Sequence, residues 1–207
     1  MDRKIVKVSA VENYFSLTWK LTNRCNYDCM YCPTKWHDST SKHHSLDTLK
    51  QTWGGIYSKT AESSRKYKIS FTGGEVTSSR SFLPFLRWLR EEHSDKIHQI
   101  LVTTNGSANA RYYLRLFEYV DNISFSMHSE HIVESEFFNM ISELKTMASP
   151  IKFIHVNIMD EFWNRERIKG YVDRLTTLGV SHTVNEVNYS MQTRAIPIIK
   201  GKLDLDF

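Results

Sequence analysis

The sequence predicts an α/β protein, a partial (β/α)6 barrel of TIM type with six parallel strands and an open side. Three observations predict it. Runs rich in β-branched and aromatic residues recur six times, and amphipathic helical stretches separate them. The chain, at 207 residues, is too short for the eight units and roughly 250 residues of a closed barrel. Strand followed by helix, repeated, forces parallel pairing, because parallel strands need a long crossover connection rather than a tight turn.

The strands are read at 14–20 (Tyr14-Phe15-Ser16-Leu17-Thr18-Trp19-Lys20), 67–72, 98–104, 121–127, 151–158 and 180–187. A first helix is expected at 45–60, weakened by Gly54 and Gly55, and a second at 81–92, where Pro84 falls in the only turn that tolerates it. The third, at 107–120, carries Tyr112, Tyr113, Leu116, Phe117 and Val120 on one stripe. The fourth is the most regular: Val133, Phe137, Met140, Ile141, Leu144 and Met147 recur at steps of three and four through 131–148, predicting one buried face. The fifth spans 162–178 and ends at Gly179, a C-cap residue. The domain reading is an N-terminal extension (1–13), a core (14–187) and a C-terminal arm (188–207), the last without helical periodicity and broken by Pro197.

Composition narrows the function classes. Hydrophobic residues at 41% and aromatics at 13% suffice for a buried core, which excludes a disordered chain. No stretch approaches the roughly 18 apolar residues of a membrane span. Met1-Asp2-Arg3-Lys4-Ile5 leads into no apolar run of signal-peptide length, so neither membrane insertion nor secretion is expected. The 27 basic and 23 acidic side chains are scattered, so nucleic-acid binding is not indicated. With 8 glycines and 4 prolines, no flexible linker stands out, nor does any repeat.

In parallel α/β folds the ligand site lies at the carboxyl ends of the strands. Those ends carry the cysteine loop (21–44), Thr72-Gly73-Gly74-Glu75, Thr104-Asn105-Gly106-Ser107, Ser126-Met127-His128, and the regions of Asn157 and of Glu186 and Asn188. The three cysteines, Cys25, Cys29 and Cys32, all fall on the first of these. An odd, local set is no disulfide framework. The spacing Cys-x-x-x-Cys-x-x-Cys puts three thiolates on one loop, as an iron-sulfur cubane with one open iron would require. A structural zinc site, completed by His37, His43 or His44, is the competing reading of the same residues.

With an aromatic residue, Tyr31, before the last cysteine, with Gly73-Gly74-Glu75 after the second strand, Thr103-Thr104-Asn105-Gly106 after the third and Ser126 to His128 after the fourth, the chain resembles the radical S-adenosylmethionine (radical SAM) superfamily. The likeness runs over roughly residues 14–187. It implies a 4Fe-4S cluster held by Cys25, Cys29 and Cys32, S-adenosylmethionine chelating the open iron, and a 5'-deoxyadenosyl radical that takes a hydrogen atom from a small-molecule or peptide substrate. A reductant such as flavodoxin or ferredoxin is implied as partner. The cluster's oxygen sensitivity implies a reducing cytoplasm.

The resemblance also distributes roles. Gly73, Gly74 and Glu75 are expected around the cofactor, the glycines allowing close backbone approach and the carboxylate pairing with the ammonium group. Tyr31 is expected near the adenine, and Thr104, Asn105, Ser126 and Asn157 are further expected contacts. Packing, for Tyr31, and a plain turn, for Asn105, are the competing readings. His128 is the candidate catalytic residue, to touch substrate or shuttle a proton. His155 and His182 are weaker candidates, and Trp36-His37 and His43-His44 are read as surface or lid residues. Val76 stands where many members have proline after Gly-Gly-Glu. The absence of further cysteines speaks against an auxiliary cluster, and the length against a cobalamin domain. Two other functions stay in view: an activase that installs a glycyl radical on a partner protein, and a non-catalytic metal-binding module.

Overall fold

The computed structural model describes residues 13–33, 35 and 37–187; the expected extension and arm lie outside the described residues, apart from residue 13. Six strands form one sheet in sequential order, every neighbouring pair parallel. They are β1 (Tyr14–Thr22), β2 (Lys66–Gly73), β3 (Ile97–Thr104), β4 (Asn122–Met127), β5 (Phe153–Asp160) and β6 (Ser181–Glu186). The first and last strands do not pair with each other, so the sheet is open at one side, as the repeat count predicts.

Five helices connect the strands: α1 (Leu46–Ser58), α2 (Phe82–His93), α3 (Ala110–Leu116), α4 (Glu134–Met147) and α5 (Arg165–Thr177). Ser45 caps α1, its side chain accepting from the Thr48 amide at 3.1 Å. Neither Gly54 nor Gly55 interrupts it; packing of the buried Leu49 and Trp53 outweighs the glycine penalty. Pro84 is the third residue of α2, where an amide has no helical partner to lose. The expected third helix is cut short, because Asn109 caps the Tyr112 amide at 2.9 Å and starts the helix three residues late. In α4 the centre of the predicted stripe is buried, but Val133 at 57% exposure and Met147 at 62% are not, since both lie at the helix ends beyond the reach of the sheet. Residues 161–164 form a loop rather than the expected first turn of α5.

The core fills the space between one face of the sheet and the helices. Side chains alternate across each strand, so Tyr67, Ile69 and Phe71 of β2 meet Trp53 of α1 and Phe82 and Phe85 of α2. Phe125 of β4 meets Tyr113 of α3 and Phe137 of α4 edge-on. The opposite face carries mainly Ser, Thr, Asn and Lys side chains, with Leu101, Phe153 and Met159 among them, and turns away from the helices. This arrangement leaves the strand ends, with their loops, gathered at one end of a polar concave surface.

Candidate active site

The cysteine loop leaves β1 and is closed at its neck. The Cys25 amide donates to the Asp38 carbonyl at 2.8 Å, and the Asp38 amide to that of Asn23 at 2.9 Å. The Asp38 carboxylate in turn accepts from the Thr40 and Ser41 amides and the Ser41 hydroxyl. These bonds hold its carboxyl below the usual carboxylate range. The loop is fastened to β2 as well, because the Gly74 amide donates to the Thr22 carbonyl and the Glu75 amide to that of Arg24, each at 2.8 Å.

Here the two glycines acquire their reason. A Cβ on Gly73 would lie 2.3 Å from the Thr22 carbonyl oxygen, and one on Gly74 would lie 2.2 Å from that of Arg24. Gly73 also has φ near +145°, outside the range of ordinary residues. The close approach is therefore that of the cysteine loop's own backbone.

Cys25, Cys29 and Cys32 line one cavity together with Tyr27, Tyr31, His37, Thr72, Gly73, Gly74, Thr103, Thr104, Asn105, Ser126 and His128. Most of the expected site residues thus converge. Glu75 and Asn157 do not. The Glu75 side chain is 1% exposed and saturated by protein donors. One oxygen accepts from the Thr77 amide, the Thr77 hydroxyl and the Thr104 hydroxyl, the other from the Asn105 amide at 2.6 Å. Burial raises its pKa, and these bonds oppose the rise. Glu75 consequently ties the end of β2 to the end of β3. Asn157 lies further down the concave face, donating to Ser124 and accepting from Thr183 and Asn185.

Asn105 makes the turn of its competing reading: its carbonyl accepts from the Ser107 amide, while its amide reaches Asn26 at 3.0 Å and the Cys25 sulfur at 3.9 Å. Gly106, at φ +75°, completes that turn. His37, expected at the surface, is 7% exposed; Nδ1 contacts the Pro33 carbonyl at 3.3 Å, and Nε2 has no partner among the described residues. The loop folds back after Cys32 and carries the ring into the cavity wall, which its polar sequence context did not signal. His43 bridges Thr22 and Ser78 at 3.5 and 3.4 Å. His155 bonds Ser181 and Thr183, and His182 the Val180 carbonyl. None of these three lines the cavity.

The segment after β4 grips the cysteine loop at three points. The Tyr31 hydroxyl is hydrogen-bonded to His128 Nδ1, the Met30 amide donates to Glu130 at 3.0 Å, and the Tyr27 ring stacks on His131 at 4.5 Å. Burial lowers the His128 pKa to about 4, so the imidazole is neutral at pH 7. A neutral ring engaged by Tyr31 orients that tyrosine. Glu130 and His131 were missed in the sequence, since neither belongs to a recognisable motif and only the fold brings them within reach of the cysteines.

Burial raises the pKa of all three thiols, most strongly that of Cys29. Such thiols become thiolates when a metal supplies positive charge. The donor set discriminates between metals. The three sulfurs do not all lie within 4.8 Å of one another, whereas tetrahedral zinc, with Zn–S bonds of about 2.3 Å, would bring any two to about 3.8 Å. A cubane binds each thiolate to a different iron and so takes the wider spread. Among the described residues the one tighter group, Cys29 with Glu130 and His131, includes a single cysteine. The residues fit a cluster better than a mononuclear zinc.

Beside the loop, Glu161 is buried and pushed up to about 7 by burial, with Glu130 adding repulsion. One of its oxygens bonds the Ser129 hydroxyl, which also accepts from Trp163 and Asn164 at 3.0 Å each; the other has no partner. Between its unfolded value, about 4.5, and about 7 the folded state keeps a proton that the unfolded chain releases. The resulting stability is complete at low pH and lost as pH rises through 7. Glu161→Gln is therefore expected to gain stability relative to the parent as pH goes from 5 to 8. Urea unfolding at both pH values measures this, and a pH-independent difference would contradict it.

With fold and geometry established, comparison with known proteins defines the class: residues 19–131 match the radical SAM superfamily, and the chain belongs to it. It is an enzyme of that superfamily. Among curated relatives, the GTP 3',8-cyclase of Pasteurella multocida is 31% identical over 98 residues, 47% of this chain and 28% of that protein. The probable GTP 3',8-cyclase of Methanocaldococcus jannaschii is 32% identical over 91 residues, 44% of this chain and 28% of the relative. That of Methanocella arvoryzae is 29% identical over 134 residues, 63% and 38% respectively. The match thus spans well under half the length of these relatives. A solved structure of BtrN in complex with AdoMet and 2-DOIA aligns with TM-score 0.48 and 14% identity, over 69% of this chain and 56% of that one. Among the described residues no helix is long and apolar enough to cross a membrane.

Proposed function

We propose that this chain reductively cleaves S-adenosylmethionine at a 4Fe-4S cluster held by Cys25, Cys29 and Cys32 and abstracts a hydrogen atom from a small-molecule or peptide substrate. The observation that carries the reading is the convergence, in one cavity, of three spread thiols with the Gly73-Gly74 turn and the ends of β1 to β4. When bound, the cluster and S-adenosylmethionine supply one-electron cleavage of the sulfonium and a 5'-deoxyadenosyl radical.

The protein's share is positioning. Met30 and Tyr31, between the second and third cysteines, are fixed by Glu130 and His128, which sets the loop's shape before any ligand arrives. Asn105, Ser126 and the cavity-facing His37 offer amide, hydroxyl and imidazole groups to the nucleoside and methionine ends of the cofactor. Glu75 acts through Asn105 and Thr104 rather than by touching the cofactor. A ferredoxin or flavodoxin as donor, and a reducing compartment, complete the proposal. An activase role or a metal-binding module has no specific observation in its favour.

The test is anaerobic reconstitution with iron and sulfide, followed by dithionite and S-adenosylmethionine. Four irons per chain and release of methionine and 5'-deoxyadenosine are expected. A colourless protein that binds zinc and releases neither product would refute the proposal. GTP, which the names of the relatives carry, is the first substrate to add.

A further inference from the structure

We infer that the substrate is an anion, a small polar molecule bearing phosphate or carboxylate, whose charge is taken up by Lys20 on the concave face of the sheet. The inference rests on the proposed function, because it places this face beneath the cysteine loop as the substrate chamber.

The interior of a closed barrel is packed with branched aliphatic side chains. Here the corresponding face of β1 reads Ser16, Thr18, Lys20, and that of β2 reads Lys68, Ser70, Thr72. Of the strand carboxylates, Asp160 and Glu186 stand at the opposite parity, in line with the outward Ile158 and Val184, and Asp160 is paired with Arg165. Among the strand residues, then, the concave face carries lysines and no carboxylate.

Lys20 is the one nearest the chemistry. It pairs in register with Thr72, which lines the cysteine cavity. The side chain is exposed and has no ion-pair partner among the described residues. Lys68 pairs with Ser16, four positions down the strand and so about 13 Å away. Its ammonium is already occupied, lying over the Tyr14 ring at 5.5 Å.

The far wall is of another character. Asn157 bonds Ser124, Thr183 and Asn185, while His155 bonds Ser181 and Thr183, making a connected, neutral hydrogen-bonding surface from β4 to β6. A cationic wall facing an uncharged polar one suits a ligand with an anionic end and a hydroxyl- or amide-rich body. A hydrophobic ligand would leave both walls desolvated and unpaired.

The test uses the reconstituted full chain with saturating S-adenosylmethionine, which covers the open iron, and titrates inorganic pyrophosphate and succinate calorimetrically. Binding of at least one is expected, and the two arms distinguish phosphate from carboxylate. Lys20→Met should weaken it about tenfold or more, as loss of a charge-assisted contact does. Lys20→Arg should retain it, and Lys145→Met, on the exposed face of α4, should leave it unchanged. No binding of either anion by a protein that does cleave S-adenosylmethionine would overturn this inference alone. Equal weakening by Lys20→Met and Lys145→Met would overturn it too, by showing only a net-charge effect. Failure to reconstitute or to cleave would instead count against the proposed function.

Discussion

Cys29→Ala is expected to bring formation of 5'-deoxyadenosine below detection while leaving the fold intact. Cys29 is the most buried of the three cysteines, at 6% exposure, and it lies at the centre of the loop. Its thiol is held neutral by burial, with the acidic Glu130 beside it raising the cost of the thiolate further. Only a strongly cationic partner makes ionisation favourable there, so the residue has little purpose as a free thiol. Removing one sulfur from a cavity wall costs on the order of 1 kcal/mol, small beside the several kcal/mol by which domains of this size are stable. Loss of activity would accordingly trace to lost ligation. Iron content, the visible absorption of the cluster and product release separate the two: the variant should unfold at nearly the parental urea concentration yet hold well under four irons. Full iron loading with undiminished cleavage would show that the cluster is held by something else.

The fold was legible because its signals are local and repeated. Tyr67-Lys68-Ile69-Ser70-Phe71 alternates because one face of β2 packs on α1 and α2 while the other is polar, and such alternation is visible in sequence. Errors gathered where a helix ends. Asn109 caps α3 and Asn164 precedes α5, and an asparagine among polar residues does not declare whether it caps or merely turns. Of the candidate site, the parts that lie in short motifs were legible, and the cavity brings Cys25, Cys29, Cys32, Tyr31 and Asn105 together.

What escaped was each side chain's direction. Glu75 reads as a ligand-facing carboxylate in sequence, yet four protein donors close around it. The reverse holds for His37, whose exposed-looking context conceals a ring turned inward. Glu130 contacts Met30 across one hundred positions, a separation that no local pattern encodes. Direction and long-range contact are properties of the packed state, so they become readable only once the sheet order and the loop's path are known.

Gly74→Ala is expected to cost about 3–6 kcal/mol and to strip the site of its iron. The added methyl would stand 2.2 Å from the Arg24 carbonyl oxygen, 2.5 Å from the Arg24 carbonyl carbon and 2.6 Å from the Asn23 oxygen. All three are backbone atoms, and they cannot yield separately. Asn23 is bonded to the Asp38 amide, Arg24 to the Glu75 amide, and Gly74 itself to Thr22. Relief requires the cysteine loop to lift from β2, giving up the bonds to Thr22 and Arg24 at about 1–1.5 kcal/mol each and adding the 1–3 kcal/mol of an overpacked contact. Backbone conformation is not the obstacle, because Gly74 has no positive φ; the demand is for space alone. Gly55→Ala supplies the internal control. A Cβ there meets nothing within 4 Å, and an alanine inside α1 should raise stability by about 0.5–1 kcal/mol. Urea unfolding of the two variants should therefore move in opposite directions, with reconstituted iron lost only in the first. Parental stability and full iron in Gly74→Ala would mean that the loop can stand off from the sheet without harm, and that the glycine pair serves something other than this close approach.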